Sequence, residues 1–265
     1  MIDIEIYLLE ENVILLRISL FLQFNIFFFL GKKTALYLRG EHRFHDYINA
    51  NQITSYDNKK QYIACQGPMR NTCEDFWDMI YQYRVSKIVM LTHYDQPNKT
   101  ECKPKCFPYF PIRKNARLSF DHWTVTTQNV QYCPDLDLRI RFILLRGKNR
   151  NCCEHRVIHY CFTSWKDFRP LEPNVLLQLI ELVNEHGNEE NRTESSTAPE
   201  VIHCSAGIGR TGTYIAVDTI VRLLNDHSYD LTTMKLDIMS IVYHLREDRM
   251  RMVQTDVSFW FLKLL

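Results

Sequence analysis

The chain alternates between stretches with two different apolar periods. Leu138, Ile140, Phe142 and Leu144 recur at every second position with Arg139 and Arg141 between them, which predicts a strand with one buried face. Ile158, Tyr160 and Phe162 repeat that spacing, and Lys87–Thr92 (KIVMLT) reads as a short buried strand. Elsewhere the period lengthens to that of a helix. Phe76, Met79, Ile80 and Tyr83 share one face after a cap at Asn71-Thr72, and Leu176, Leu177, Ile180 and Val183 do so after Pro173. Met234, Ile238, Ile241, Val242 and Leu245 mark a later helix. Glu185–Glu200 is polar and acidic and predicts a solvated surface loop. Strands and helices mixed in this irregular way predict an α/β or α+β fold with a central twisted sheet flanked by helices.

That acidic stretch leads into Val201–Thr213, VIHCSAGIGRTGT. Val201-Ile202 is a short strand end, and the helix that follows has Val217, Ile220, Val221 and Leu224 as its apolar face. Between them lie Cys204, a tight loop of Ser205, Ala206, Gly207, Ile208 and Gly209, and then Arg210. A strand, a tight loop and a helix start turn backbone N–H groups inward and make an anion cradle. Gly207 and Gly209 supply the backbone freedom for it, and Arg210 a fork of donors that matches two phosphate oxygens. The same dipoles favour a thiolate at Cys204, so its pKa is expected below the free value of about 8.5. A thiolate held against a bound phosphate is a nucleophile. Thr211 can donate a hydrogen bond to the sulfur.

Composition narrows the classes of partner. The chain has 265 residues, 46% hydrophobic and 24% charged, with a formal net charge of +1. This suits one large domain, and gives no field that would draw it to nucleic acid. Nine cysteines without a repeating spacing predict reduced thiols. Cys152, Cys153, His155, His159 and Cys161 lie close together, but adjacent cysteines do not match metal-ligand spacing, so no metal is expected. Val13–Leu30 is almost wholly apolar, interrupted by Arg17, Gln23 and Asn25. Residues 13–30 have the length of a membrane span, although Arg17 would cost about 2–3 kcal/mol if it sat near the bilayer centre. As a span, with acidic residues before it and Lys32 and Lys33 after it, it would leave the remainder in the cytosol. A packed segment or an atypical chain end is the alternative. The expected location is cytoplasmic, either free or anchored through this segment.

The string HCSAGIGRTG resembles the signature loop of the phosphotyrosine-specific protein tyrosine phosphatases. Further blocks follow in the family's order: DYINAN at Asp46–Asn51, YIACQGPMRNTCEDFW at Tyr62–Trp77, IVMLT at Ile88–Thr92, YFP at Tyr109–Pro111 and LREDRMRMVQT at Leu245–Thr255. The resemblance implies a highly twisted mixed sheet flanked by helices, phosphotyrosine-containing proteins as partners, and no cofactor. It implies Cys204 as nucleophile, Arg210 as phosphate clamp and His203 as the histidine that tunes the thiol. Asp167, in SWKDF at Ser164–Phe168, is similar to the family's general acid. Gln254 matches the glutamine that positions water, and Lys105 the lysine near the acid loop. On this basis the phosphatase domain covers residues 34–265 and a divergent apolar segment residues 1–33.

Three positions and one segment depart from the family pattern. Lys166 stands for the proline of the WPD loop, Arg169 for its usual glycine, and Ser258 for a second glutamine. No KNRY-like segment precedes DYINAN, where Phe27–Leu30 and Lys32-Lys33 stand instead. The expected activity is hydrolysis of phosphotyrosine through phosphocysteine. The alternative is a catalytically impaired relative that binds phosphotyrosine without turning it over.

Overall fold

The computed structural model describes residues 33–40, 45–94, 105–148, 154–166, 169, 171–190, 198–226 and 236–255. Among them a mixed sheet runs β1 (Ala35–Tyr37), β2 (Tyr47–Thr54), β3 (Gln61–Cys65), β4 (Lys87–Met90), β5 (Arg117–Ser119), β6 (Trp123–Cys133), β7 (Leu138–Gly147), β8 (Glu154–Phe162) and β9 (Glu200–His203). Its spatial order is β1-β2-β3-β9-β4-β8-β7-β6-β5. β3, β9, β4 and β8 are parallel, and the outer pairs are antiparallel. The helices are α1 (Cys73–Gln82), α2 (Pro173–Glu190), α3 (Gly209–Asn225) and α4 (Ile238–Asp248).

Parallel strands at the middle of a sheet are covered on both faces, and so read as short apolar runs rather than alternations. Every residue of β4 and β9 is buried. Successive side chains still point to opposite faces. Ala64, Val89, Ile202 and Cys204 join the core built with α2, α3 and α4. Ile63, Ile88, Met90 and Val201 join the core built with Phe76, Trp77 and Ile80 of α1. The last strand among the described residues therefore sits in the middle of the sheet, between β3 and β4, and Cys204 follows its end.

The expected fold class holds, with four local corrections. Arg141 is fully buried, not solvent-facing, because the Phe110–Ile112 segment covers it, and its Nε donates to the Ile112 carbonyl at 3.5 Å. Its guanidinium stacks over the Phe110 ring at 4.6 Å. The acidic stretch expected to be a loop begins as helix, since α2 continues to Glu190, and it ends in β9. Glu200 there is buried and paired with Lys60 at 3.0 Å and Lys87 at 3.2 Å. Finally, α3 is buried on all sides from Thr211 to Ile220, and near its end Leu223 is buried while Leu224 is exposed. Met234 and residues 1–32, the apolar 13–30 included, lie outside the described residues, as do Cys152 and Cys153. No helix among the described residues is long and apolar enough to cross a membrane.

A buried ionic cluster ties the helices to the sheet at the end of β3 and β9 away from Cys204. Lys60 Nζ reaches Asp218 at 2.9 Å and Asn184 at 3.0 Å, and Asn184 donates to Asp218 at 2.9 Å. Tyr62 also donates to Asp218. Because Asn184 belongs to α2 and Asp218 to α3, one anion pins both helices to the sheet.

Candidate active site

Cys204 directly follows β9, and Gly209 opens α3. The turn between them is possible because Gly207 adopts φ +71°, where a Cβ would lie 2.1 Å from the Cys65 carbonyl oxygen. Gly209 keeps an ordinary backbone; there a side chain would press on Gln254 Oε1 at 3.3 Å. No side chain caps α3; in its first turn the Thr211 N–H is directed at the Cys204 sulfur, and the helix start faces the turn.

The sulfur sits inside this turn. Cys204 is 3% exposed, and the Gly207 N–H donates to Sγ at 3.3 Å. Burial pushes the thiol pKa up. The Arg210 charge, the Thr211 hydroxyl and the N–H groups of Thr211 and Gly207 outweigh it and hold the pKa below the ordinary thiol value. Thr211 Oγ1 is buried and bonded to no other group, which leaves it to the sulfur.

His203 supports the loop from below. Its Nδ1 lies 3.2 Å from the Cys204 carbonyl oxygen, which can only accept, so Nδ1 carries the proton. Nε2 then accepts from the Tyr109 hydroxyl at 2.7 Å, and that oxygen accepts from His159 Nε2–H at 2.8 Å. Burial, aided by the Arg210 charge and opposed by the Cys204 carbonyl, pulls the His203 pKa down to about 4. His203 is therefore neutral and has its tautomer fixed by a buried relay.

Arg210 Nη2 is steered by Thr92 Oγ1 at 3.4 Å and Ser205 Oγ at 3.3 Å, while Nη1 donates to the Trp165 carbonyl at 3.0 Å. Gln254 is brought to the loop by its neighbour, since Val253 N–H donates to the Ile208 carbonyl at 3.1 Å. Together with Ser205, Ala206 and Gly209, Cys204, Arg210 and Gln254 line a pocket of about 160 Å3. Lys105, Trp165, Arg169 and Thr255 line the same pocket. A nucleophilic sulfur, a guanidinium and a bare helix start around a volume of this size suit a tetrahedral oxyanion.

The sequence profile described as "Protein-tyrosine phosphatase" matches residues 30–265. The chain belongs to the protein-tyrosine phosphatase family. It is 38% identical over 219 residues to human "Tyrosine-protein phosphatase non-receptor type 7", covering 82% of this chain and 54% of that protein. It is 35% identical over 214 residues to rat (Rattus norvegicus) "Receptor-type tyrosine-protein phosphatase C", covering 80% of this chain and 15% of that one. A chicken (Gallus gallus) protein, "Receptor-type tyrosine-protein phosphatase eta", is 36% identical over 219 residues, 82% of this chain and 14% of its own. The chain thus spans about half or less of the length of these curated relatives.

Within this protein-tyrosine phosphatase domain, most of the described residues expected from sequence lie around one pocket, while Gly207 and Ile208 do not line it. Cys204, Arg210, Gln254 and Lys105 meet in one pocket, and His203 and Thr211 pack behind it. Asp167 and Ser258 lie outside the described residues. One contributor had no role assigned from sequence. Arg249 is buried and holds the back of the loop, donating to the carbonyls of Gly207 at 2.8 Å and Ala206 at 3.2 Å. It also donates to Asn51 Oδ1 at 2.6 Å and Asn49 Oδ1 at 2.8 Å. The signal was a basic residue inside LREDRMRMVQT, hidden among other arginines.

Proposed function

We propose that this protein hydrolyses phosphotyrosine in proteins in two steps. The Cys204 thiolate attacks phosphorus and forms an S–P bond as the P–O bond to tyrosine breaks. Asp167 gives its proton to the departing phenol oxygen, because an unprotonated phenolate leaves poorly. A water positioned by Gln254 then attacks phosphorus and returns a proton to Asp167. The S–P bond breaks, the thiolate is regenerated with help from Thr211, and orthophosphate leaves. Arg210 and the N–H groups of residues 205–210 hold the phosphoryl oxygens throughout, so charge is met where it develops. No metal or organic cofactor enters the scheme.

The observation that carries this reading is the favoured thiolate at Cys204 inside a pocket shared with Arg210 and Gln254. Residues 34–265 form the catalytic unit in this proposal, and residues 1–33 a separate segment. A cytosolic setting is supported by the free thiols of Cys65, Cys73, Cys106, Cys133, Cys161 and Cys204. The test is phosphate release from a phosphotyrosine peptide without added metal, beside Cys204→Ser. Release by the parent alone supports the proposal. Binding by both proteins without release favours the impaired, phosphotyrosine-binding alternative, which Lys166 in the acid loop motivates.

A further inference from the structure

The β6–β7 hairpin brings a carboxylate to the segment that follows β8. A 3-10 turn at Pro134–Leu136 closes the hairpin, and Leu136 is buried in the core shared with α2. Asp137 comes next, in the left-handed region at φ +47°, and its N–H donates to the Pro134 carbonyl at 3.1 Å. Aspartate tolerates that conformation better than most side chains, and the turn holds its backbone in place. Each carboxylate oxygen then meets one hydroxyl. Tyr132 donates to Oδ1 at 3.0 Å, and Ser164 Oγ donates to Oδ2 at 3.0 Å. Arg139 adds to the orientation: its Nη1 lies 3.8 Å from Oδ1, and its guanidinium lies over the Tyr132 ring at 5.2 Å.

Ser164 is the informative partner. It opens SWKDF, three residues before Asp167. It directly precedes Trp165, which lines the Cys204 pocket and whose carbonyl accepts from Arg210 Nη1 at 3.0 Å. The start of this segment is thus held from two sides, by the phosphate loop through Arg210 and by the hairpin through Asp137. Neither Asp137 nor Tyr132 lines the pocket. A hydrogen bond to an ionised acceptor is stronger than one between neutral groups, and a proton donor carried on a loop is only as well aimed as the loop's entry is fixed.

We propose that Asp137 is a positioning residue for the acid step, its carboxylate fixing Ser164 and thereby the approach of Asp167 to the leaving oxygen. The inference rests on the phosphotyrosine reading above and adds a residue to its mechanism. Removing either end of the Asp137–Ser164 bond removes the same anchor, so the two residues act as one unit. A hydrogen bond of this kind is worth about a two- to tenfold effect on rate.

The experiment compares the full chain with Asp137→Ala, Ser164→Ala, the double variant and Ser164→Thr on two substrates, phenyl phosphate and para-nitrophenyl phosphate. Phenol is a basic leaving group that needs a proton, and para-nitrophenol a more acidic one that departs with less help. The quantity read is kcat/KM, which reports the step that expels the leaving group. The expected result is a loss of about two- to tenfold on phenyl phosphate in either alanine variant, with a smaller loss on para-nitrophenyl phosphate. The double variant should be no slower than the single ones, and Ser164→Thr, which keeps the hydroxyl, should stay near the parent. Equal losses on the two substrates overturn the proposal, because a general disturbance of the fold does not distinguish leaving groups. Losses that multiply in the double variant, or an unchanged kcat/KM, overturn it as well. A parent that turns over neither substrate removes the phosphatase reading and this inference with it. An active parent whose variants show equal losses removes the role of Asp137 alone and leaves the phosphatase reading standing.

Discussion

Arg210 Nη1 donates a 3.0 Å hydrogen bond to the carbonyl oxygen of Trp165. The proposed phosphate clamp and the start of the segment that carries the proposed acid, Asp167, are therefore joined through one backbone oxygen. The Trp165 indole in turn closes the following turn onto the Arg169 carbonyl. Trp165→Phe keeps the buried ring and removes that donor. The expected outcome is a kcat on a phosphotyrosine peptide lowered about tenfold with a smaller change in KM, since misplacing a proton donor penalises the chemical step. An unchanged kcat would mean that the indole bond does not position the loop.

Cys204 owes its low thiol pKa to groups that can be removed singly. Thr211→Val and Arg210→Ala each take away a stabiliser of the thiolate and leave burial, which acts in the opposite direction. Alkylation by neutral iodoacetamide, followed against pH, should have its midpoint below that of a free thiol in the parent and move upward in both variants. Arg210 is expected to have the larger effect, because its charge is the leading favourable cause. A midpoint that stays in place would separate the thiolate from these two partners.

The buried imidazoles set a pH dependence of stability. Folding depresses the His203 pKa to about 4, and burial also lowers that of His159. A depressed group contributes fully above its unfolded pKa near 6.5, and that contribution is lost as pH falls toward the folded value. Between pH 7 and pH 5, His203 alone should remove about 2 kcal/mol of unfolding free energy. Urea titrations at the two pH values measure this. A flat profile would contradict a relay of neutral imidazoles joined by Tyr109.

The chemistry at Cys204 was legible because its parts are adjacent in sequence, on a strand, a tight loop and a helix start. Gln254 and Lys105 were legible only through family resemblance, since nothing local to an exposed glutamine or lysine marks it as a pocket residue. Arg249 and the His159–Tyr109–His203 relay were not legible, because their partners lie far apart in sequence and periodicity reports faces rather than hydrogen bonds. Arg141 and Glu200 failed for a related reason. Polar residues were expected to face solvent, but Arg141 is covered by the distant Phe110–Ile112 segment and Glu200 is paired with Lys60 and Lys87, none of which periodicity reports.

The ionic cluster at the far end of the sheet is a stability element. Burial raises the Asp218 pKa, but Lys60, Tyr62 and Asn184 outweigh it and keep the carboxyl ionised. Asp218→Ala leaves Lys60 with Glu200 and strips both helices of their shared acceptor. Breaking a buried pair from one side costs about 3–5 kcal/mol. Denaturant unfolding at neutral pH checks this; a loss under about 1 kcal/mol would place the cluster among surface-like ion pairs.

In the proposed reaction the phosphoryl group passes through Cys204. The most direct test of this step is rapid quenching of the protein during turnover of a phosphotyrosine peptide, followed by mass spectrometry of the fragment that contains Cys204. Gln254→Ala is included so that the intermediate accumulates. One phosphate is expected on Cys204, increased in Gln254→Ala and absent in Cys204→Ser. Continued turnover by Cys204→Ser, or phosphate found on another side chain, would contradict it.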